Sequence, residues 1–447
     1  MRWLAVPTLS ALIAAMALSV ACGDGEAENQ NQNHSQNQNP NNGDPEQYDD
    51  NCQRDANGAS DFEVPAPEGY EQTRHARMIR VGDELWVSFV AIAEVGELER
   101  AYLTRLGCDG APVDEPMRLG RDDVEMEAGG AMATDDEVVY VVWREDLPEA
   151  RIETRGRTFD IDGSARQDEP FAVEVMVDGE DESWPIDYPE LVVNHEGDAV
   201  VVGEALVEQQ FFAMMQRIDD DGDTVGDGFF LDDSGEAHQV EPAVAMLEDN
   251  DLVFAYLETT TPGPGAVYHG TVSHDGHSVD EGPTAADPAI GEGNLTESVR
   301  LATNPAGGPT WMTYPRGSEG ENTVVIREAA NLGPAISDET TRISGQTSFF
   351  ADVAAGEEGG AIAWLSGSPL AGNIHFQRFL GTGVEITDVK EVIDHHQDED
   401  GLVVAPFGPD IVWLFDEVYA AVWVEREEEN EIRGTVIDFS EFEDDGE

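Results

Sequence analysis

The chain of 447 residues contains a single lysine, Lys390, and only three cysteines, Cys22, Cys52 and Cys108. Its other basic residues are arginines, and 23 basic side chains stand against 94 acidic ones, a formal net charge of −71. So acidic a surface repels phosphate backbones and anionic head groups, which excludes DNA and RNA as partners. The signatures of several enzyme classes are missing as well. The chain has no Gly-x-Ser-x-Gly nucleophile turn, no His-Glu-x-x-His, no Gly-Lys-Ser/Thr phosphate loop and no Gly-x-Gly-x-x-Gly dinucleotide turn. Helical periodicity is absent over any useful length of residues 60–447, which leaves strands as the building material.

Those strands come in seven copies of one pattern: an apolar strand, an acidic turn, an apolar strand ending in an aromatic, a third strand, then a Gly turn. The aromatic position reads as Trp143, Tyr256, Trp311, Trp364 and Trp423, with Val90 and Gly203 in the same register. A repeat of about 55 residues built only of strands implies one four-stranded sheet per repeat, and seven sheets closing into a ring. The expected fold class is therefore all-β, a seven-bladed β-propeller spanning residues 59–447. Ring closure falls to the short strand Asp61-Phe62-Glu63-Val64, which precedes all repeats. The seventh repeat ends in the acidic tail Ser440–Glu447 and lacks a fourth strand of its own.

Two zones precede the repeats. Met1-Arg2 followed by the apolar run Trp3–Ala21 reads as a secretory leader, residues 1–21. Its end, Leu18-Ser19-Val20-Ala21-Cys22, resembles a bacterial lipoprotein signal. That resemblance implies acylation of Cys22, which becomes the new N-terminus, and a membrane partner reached through the lipid anchor. Gly23 in place of Asp implies the outer membrane or cell surface. Residues 22–58 carry the Asn/Gln run Asn29–Asn42, with too few apolar side chains to offset the entropy of ordering, and read as a flexible tether.

In an exported protein, Cys52 and Cys108 are most simply a disulfide. The propeller reading places Cys108 in a turn of the first blade and Cys52 just before the closing strand, so the bond braces the closure.

One position on the innermost strands holds Arg77, Gly130, Glu190, Ala243, Ser298, Ala351 and Asp410. Facing the central channel, Glu190 and Asp410 could form an acid/base pair with Arg77 binding an anionic group. A plainer arrangement pairs Arg77 with Asp410 and leaves Glu190 solvated. Asp219, Asp221, Asp223 and Asp227 place hard oxygen ligands at short spacing and resemble calcium loops of the Asp-x-Asp-Gly-Asp kind, which implies Ca²⁺ as a candidate cofactor. The same residues also occupy a hairpin turn equivalent to Asp160-Ile161-Asp162-Gly163. His395 and His396 are adjacent, and on an extended segment they point apart.

The repeats resemble those of bacterial secreted propeller proteins and invite comparison with sialidases and related propeller glycosidases. The sialidase hallmark Ser-x-Asp-x-Gly-x-x-Trp occurs in none of them. The expected function is a monomeric, envelope-anchored binding or structural module for an unknown glycan, protein or small ligand. The alternative is a propeller-type glycan hydrolase using channel-mouth carboxylates.

The charge carries a direct consequence. Self-repulsion loosens the compact state at low ionic strength, and a Debye length of about 3 Å at 1 M salt removes most of it. The midpoint of thermal unfolding should rise by several degrees from low salt to about 1 M NaCl; an unchanged midpoint contradicts this reading.

Overall fold

The computed structural model describes Cys52 and most of residues 61–442. The longest internal stretches outside the description are 292–298, 304–309, 329–346, 381–389 and 392–406. The leader, Cys22, the tether apart from Cys52, and His395 and His396 thus lie outside the described residues. Within them every named element is a strand, save a 3₁₀ turn at Phe439–Phe442.

The strands form successive antiparallel sheets in chain order. The first comprises Gln72–Val81, Glu84–Ile92, Glu99–Gly107 and Met117–Arg118. The second has five strands, because its innermost strand is split into Met126–Glu127 and Ala131–Thr134, both paired with Val138–Leu147. Arg151–Asp160 and Phe171–Ala172 complete it. The third, fourth and sixth sheets begin on the innermost strands Asp187–Val193, His238–Met246 and Thr347–Gly356, with four strands each. The last comprises Phe407–Phe415, Val418–Arg426, Asn430–Asp438 and, at its outer edge, Phe62–Val64. The molecule is an all-β propeller.

The expectation of seven four-stranded blades is corrected. Six sheets carry four or more strands, while the fifth repeat supplies three among the described residues, Arg300–Ala302, Trp311–Ser318 and Glu321–Glu328. The residues after it, 329–346, lie outside the description. A separate two-stranded ribbon, Glu174–Met176 with Ser183–Pro185, stands between the second and third sheets.

Each sheet is buried on both faces, which explains why the second strands are continuously apolar rather than alternating. Along Val138–Leu147, Val139, Val141 and Trp143 pack toward the first sheet, whereas Val138, Tyr140 and Val142 pack toward the third. Leu252, Phe254 and Tyr256 likewise face the third sheet, and Val253, Ala255 and Leu257 face the fifth. Period-two alternation thus divides one strand between two hydrophobic clusters. Another cluster joins Met78, Leu85, Val87 and Phe89 of the first sheet to Val412, Leu414, Val422 and Ile432 of the last.

The aromatic position obeys the same rule. Tyr256, Trp364 and Trp423 face the sheet that precedes theirs, as Trp143 does. In the first and fifth sheets the residue in that register is Phe89 and Tyr314, not Val90 and Trp311: the preceding partners, Ser88 and Thr313, sit opposite Arg77 and Arg300. Trp311 faces the sixth sheet instead. Gly203 stands in the slot in the third sheet, and a Cβ there would lie 1.8 Å from Ile186 Cγ2, so Ile186 fills the space an aromatic takes elsewhere. An aromatic side chain buries about 150–250 Å², worth roughly 4–6 kcal/mol at about 25 cal/mol per Å².

The strand Phe62–Val64 pairs with Asn430–Asp438 as expected, Phe62 opposite Gly434 and Val64 opposite Ile432. Cys52 and Cys108 form a disulfide, with Cα atoms 5.2 Å apart, and both lie in the cluster shared by the first and last sheets. A repeated detail shows that Phe62 acts as an outer-strand residue. Phe171 lies across Gly156 of its own sheet and Gly222 in the hairpin turn of the next. Phe62 lies in the same way across Gly434 and Gly110. Gly110 and Gly222 both have φ near +80°, which a side chain would strain even without the ring above it.

Phe62→Ala should therefore lower stability by about 2–3 kcal/mol in denaturant titration. Gly434→Ala, whose Cβ would fall 2.3 Å from Phe62 Cζ, should cost a comparable amount. The double variant should lose less than the sum, since the clash vanishes with the ring. Strict additivity would contradict the contact.

Candidate functional site

The innermost strands share a bulge. The register to the second strand slips between Arg74 and Arg77, Asp187 and Glu190, Val240 and Ala243, Phe349 and Asp352, and Phe407 and Asp410. In four of these bulges a non-glycine residue adopts positive φ: His75, Tyr188, Glu241 and Phe350. An extra residue at this point re-aims the side chain that follows. The residues so placed are Arg77, Glu190, Ala243, Asp352 and Asp410. Arg300 opposite Thr313 and Ala131 opposite Val142 hold the equivalent position in the fifth and second sheets.

Their charged members meet. Arg77 Nη1 donates to Glu190 Oε1 at 2.8 Å, and Arg300 Nη1 reaches the same oxygen at 3.5 Å. The first, third and fifth sheets thus converge on one carboxylate. Asp410 Oδ2 accepts the backbone N–H of Met78 at 2.7 Å, and Asp352 Oδ2 that of Ile411 at 2.9 Å. The second oxygen of each, Asp352 Oδ1 and Asp410 Oδ1, is buried without a hydrogen-bond partner. All five residues are buried, none more than 4% exposed. Burial raises the Asp410 carboxyl well above the usual range, and the adjoining Asp352 raises it further. Asp352 is pushed up to about 6, mainly by burial.

This layer differs from both expected arrangements. Glu190 and Asp410 do not face each other as acid and base: Glu190 lies between two guanidinium groups, and Asp410 accepts the Met78 N–H. Arg77 contacts Glu190, and Glu190 is not solvated. Ser298 lies outside the described residues, and Ala351 is one residue out of register, so Arg300 and Asp352 take the positions assigned to them. Sequence alignment on the aromatic missed both, because it slid with Trp311 in the fifth repeat and has no way to count a bulge.

One layer nearer the strand starts, a second polar group surrounds Glu204. Asp187 lies opposite Glu204 in the sheet, and Glu241 of the fourth sheet donates its backbone N–H to Glu204 Oε2 at 3.3 Å. Arg144 clamps Asp187 through Nη1, 2.8 and 2.9 Å from its two oxygens, and donates from Nε to Asp146 at 2.7 Å. Glu204 is 5% exposed, and burial lifts its carboxyl well above the ordinary range, with Glu241 and Asp187 adding repulsion. A carboxyl whose proton affinity is raised beside a half-buried glutamate sets two carboxyls with different environments next to each other.

The acidic run after the third strand of the third sheet is a hairpin turn. Asp219 Oδ1 accepts the N–H groups of Asp221 and Asp223 at 3.1 and 2.8 Å, and Gly222 N donates to Asp219 O at 3.0 Å. Asp160–Ser164 makes the equivalent turn in the second sheet, with Gly163 N donating to Asp160 O. Asp220, not among the expected ligands, is bound by Arg166 at 2.6 Å. Asp227 lies beyond the turn, on the strand Thr224–Phe230. Among the described residues no group of three or more His, Cys, Asp or Glu side chains is placed to hold a metal ion.

No protein-family model matches the sequence, and no curated protein matches it. Solved structures do. The chain is similar to a protein of unknown function from Dyadobacter fermentans, at 9% identity over 84% of this chain and 97% of that one, with a TM-score of 0.52. It is also similar to a polysaccharide lyase, an ulvan lyase solved with a bound GlcA–Rha3S glycan, at 11% identity over 85% and 95% of the two chains, TM-score 0.54. The β-propeller domain of the Trilobed protease from Pyrococcus furiosus matches at 9% identity over 84% and 99%, TM-score 0.46. Identities this low speak for a shared fold and nothing finer.

Glu204 carries a pH dependence whose sign is fixed. Its folded-state proton affinity exceeds that of an unfolded glutamate, so its contribution is full below the ordinary carboxylate range and is lost as pH rises through the raised value. Glu204→Gln, which mimics the protonated form, should match the wild type near pH 4.5. It should exceed the wild type by about 1–2 kcal/mol at pH 8 in denaturant titration. A constant difference across that range would contradict the assignment.

Proposed function

We propose that the protein is an envelope-anchored bacterial lipoprotein whose propeller acts as a binding or structural surface module. In this reading the three-stranded fifth sheet is a blade, so that seven blades close into a ring between the first and last sheets. Three observations support the ring. Each hydrophobic cluster draws on neighbouring sheets, the first and last included. Phe62–Val64 supplies the outer strand of the last sheet. The Cys52–Cys108 disulfide ties the segment before that strand to the first sheet.

The observation that favours binding over catalysis is the state of the axis. Arg77, Glu190, Arg300, Asp352 and Asp410 are buried against one another, so the carboxylates that a glycan hydrolase would need at the channel are occupied in holding the sheets together. A ligand would then meet the loops and bulges at the face where the innermost strands begin. Acylation of Cys22 would hold this module at the membrane, with residues 22–58 as its tether.

A second reading, a glycan-active enzyme, is favoured by Glu204 and Glu241, which lie on neighbouring sheets, the Glu204 carboxyl raised well above the ordinary range by burial.

Two measurements test these readings. Cys22→Ala should move the protein from the membrane fraction to the soluble fraction and abolish labelling by a radiolabelled fatty acid; persistence at the membrane would overturn the anchor. A glycan array read alongside a product assay separates the two functions. Binding retained in Glu241→Gln without product formation supports the module, whereas product formation lost in that variant supports the enzyme.

A further inference from the structure

The fifth and sixth sheets meet in a largely apolar seam. Ala302, Trp311 and Ile326 of the fifth pack on Val353, Ile362, Trp364 and Phe379 of the sixth, with the Trp311 and Phe379 rings 4.9 Å apart. His375 stands in this seam. On the strand Ala371–Leu380 it alternates with Ile374 and Phe376, which face the last sheet, and so shares the face of Phe379. Its ring stacks on Trp364, opposite it on the neighbouring strand, with centroids 5.4 Å apart. His375 is 4% exposed and Trp364 0%. One ring nitrogen, Nε2, lies 2.5 Å from Ser366 Oγ. The other, Nδ1, is buried without a hydrogen-bond partner among the described residues.

A neutral imidazole fits this site. With Nε2 bound to Ser366, Nδ1 is left as one bare acceptor or one N–H, according to the tautomer. An imidazolium does not fit. Both nitrogens then donate, Nδ1–H meets no acceptor, and the charge is shut away from water. Stacking on the Trp364 ring offsets part of that cost and no more. We propose that His375 is a buried proton sensor, and that uptake of a proton by its ring loosens the seam between the fifth and sixth sheets as pH falls. The sensor needs only these two neighbouring sheets, and it stands apart from ring closure and from the binding role.

Charged residues stand on several elements around the seam. Arg300, opposite Thr313, turns to Glu190 at the axis. Asp352 turns to Ile411 of the last sheet, and Arg378, on the far face of the His375 strand, binds Glu417 at 2.5 Å. Glu328 lies opposite Trp311, and Glu391 opposite His375 itself. A carboxylate at Glu391 holding the ring would raise its proton affinity, so the two arrangements predict titrations on opposite sides of the ordinary histidine value. Burial pulls the His375 pKa from the ordinary 6.5 down to about 4. The folded state thus resists a proton that the unfolded chain accepts. The stabilisation is full above about pH 6.5 and is lost as pH falls toward 4. Glu204 has the opposite sign.

The imidazole of His375 can be followed by NMR through falling pH in the full chain, its signal assigned by loss in His375→Gln. Its midpoint should lie more than about one unit below the ordinary histidine value. A midpoint within one unit of that value, or above it, overturns the sensor. Denaturant titration reads the consequence for stability. His375→Gln keeps a group that can reach Ser366 and carries no titrating proton, so carboxyls elsewhere cancel in the comparison. Relative to this variant, the wild-type folding equilibrium should fall by up to about tenfold per pH unit between about pH 6.5 and pH 4.5. A difference independent of pH overturns the proposal. Should His375→Gln fail to fold, His375→Phe keeps a ring against Trp364 without a proton and serves for both measurements. Amide exchange at Thr313 and Trp364, corrected for intrinsic rates, locates the opening. Protection there should fall between pH 7 and pH 5 by more than at Val141 in the second sheet. An equal fall at all three, or none, overturns the seam as the place that loosens.

Discussion

Everything in this molecule depends on sheets that bury both faces. A sheet in a two-layer protein hides one side and shows the other; here each second strand sends alternate side chains into two different clusters. Val138–Leu147 divides between the first and third sheets, and Leu252–Thr259 between the third and fifth. Among the described residues these second strands present no polar face, so such a sheet depends on a neighbour on each side. The first and last copies meet the same demand by facing each other across Met78, Phe89, Val412 and Val422. The short strand at Phe62, its glycine seats and the disulfide all serve that one junction.

The bulge on the innermost strands turns this packing into an axis. In five sheets it re-aims one residue, and in four of them the residue two places earlier is a non-glycine held at positive φ. Such backbone costs about 1–3 kcal/mol per residue and persists only when its surroundings over-determine it. The central residues supply that determination in part: Arg77, Glu190 and Arg300 tie three non-adjacent sheets together. A buried ion pair is weak evidence for stability as such, since desolvation offsets much of its attraction, but removing one partner strands the other. Its role here is to fix which sheets meet and at what level.

Much of this was legible in the sequence, and the losses have physical causes. The strand pattern, the repeat length, the closing strand and the cysteine pair follow from local chemistry: apolar runs, turn residues and an even pair of thiols. Arg77, Glu190 and Asp410 are legible because the slot residues of their repeats, Val90, Gly203 and Trp423, stand in the true register or one residue from it. Arg300 and Asp352 were missed because the register there depends on a bulge and on Tyr314 rather than Trp311. Both are facts of pairing that no single strand encodes. Glu204 carries no signal at all in the sequence: it is one acidic residue among many, distinguished only by the neighbours that bury it. The aspartates at 219, 221 and 223 carry a metal-like spacing in the sequence, and in the fold the first of them caps its own turn.

The central claim is radial packing, and the contact between Arg77 and Glu190 tests it most directly. Sheets stacked in a row stand about 10 Å apart, which would separate the first from the third by about 20 Å and leave these residues independent. Around an axis they touch. A double-mutant cycle with Arg77→Met and Glu190→Gln, followed by denaturant unfolding, should return a coupling energy of about 1.5 kcal/mol or more. A coupling indistinguishable from zero, with both single variants folded, would contradict the account.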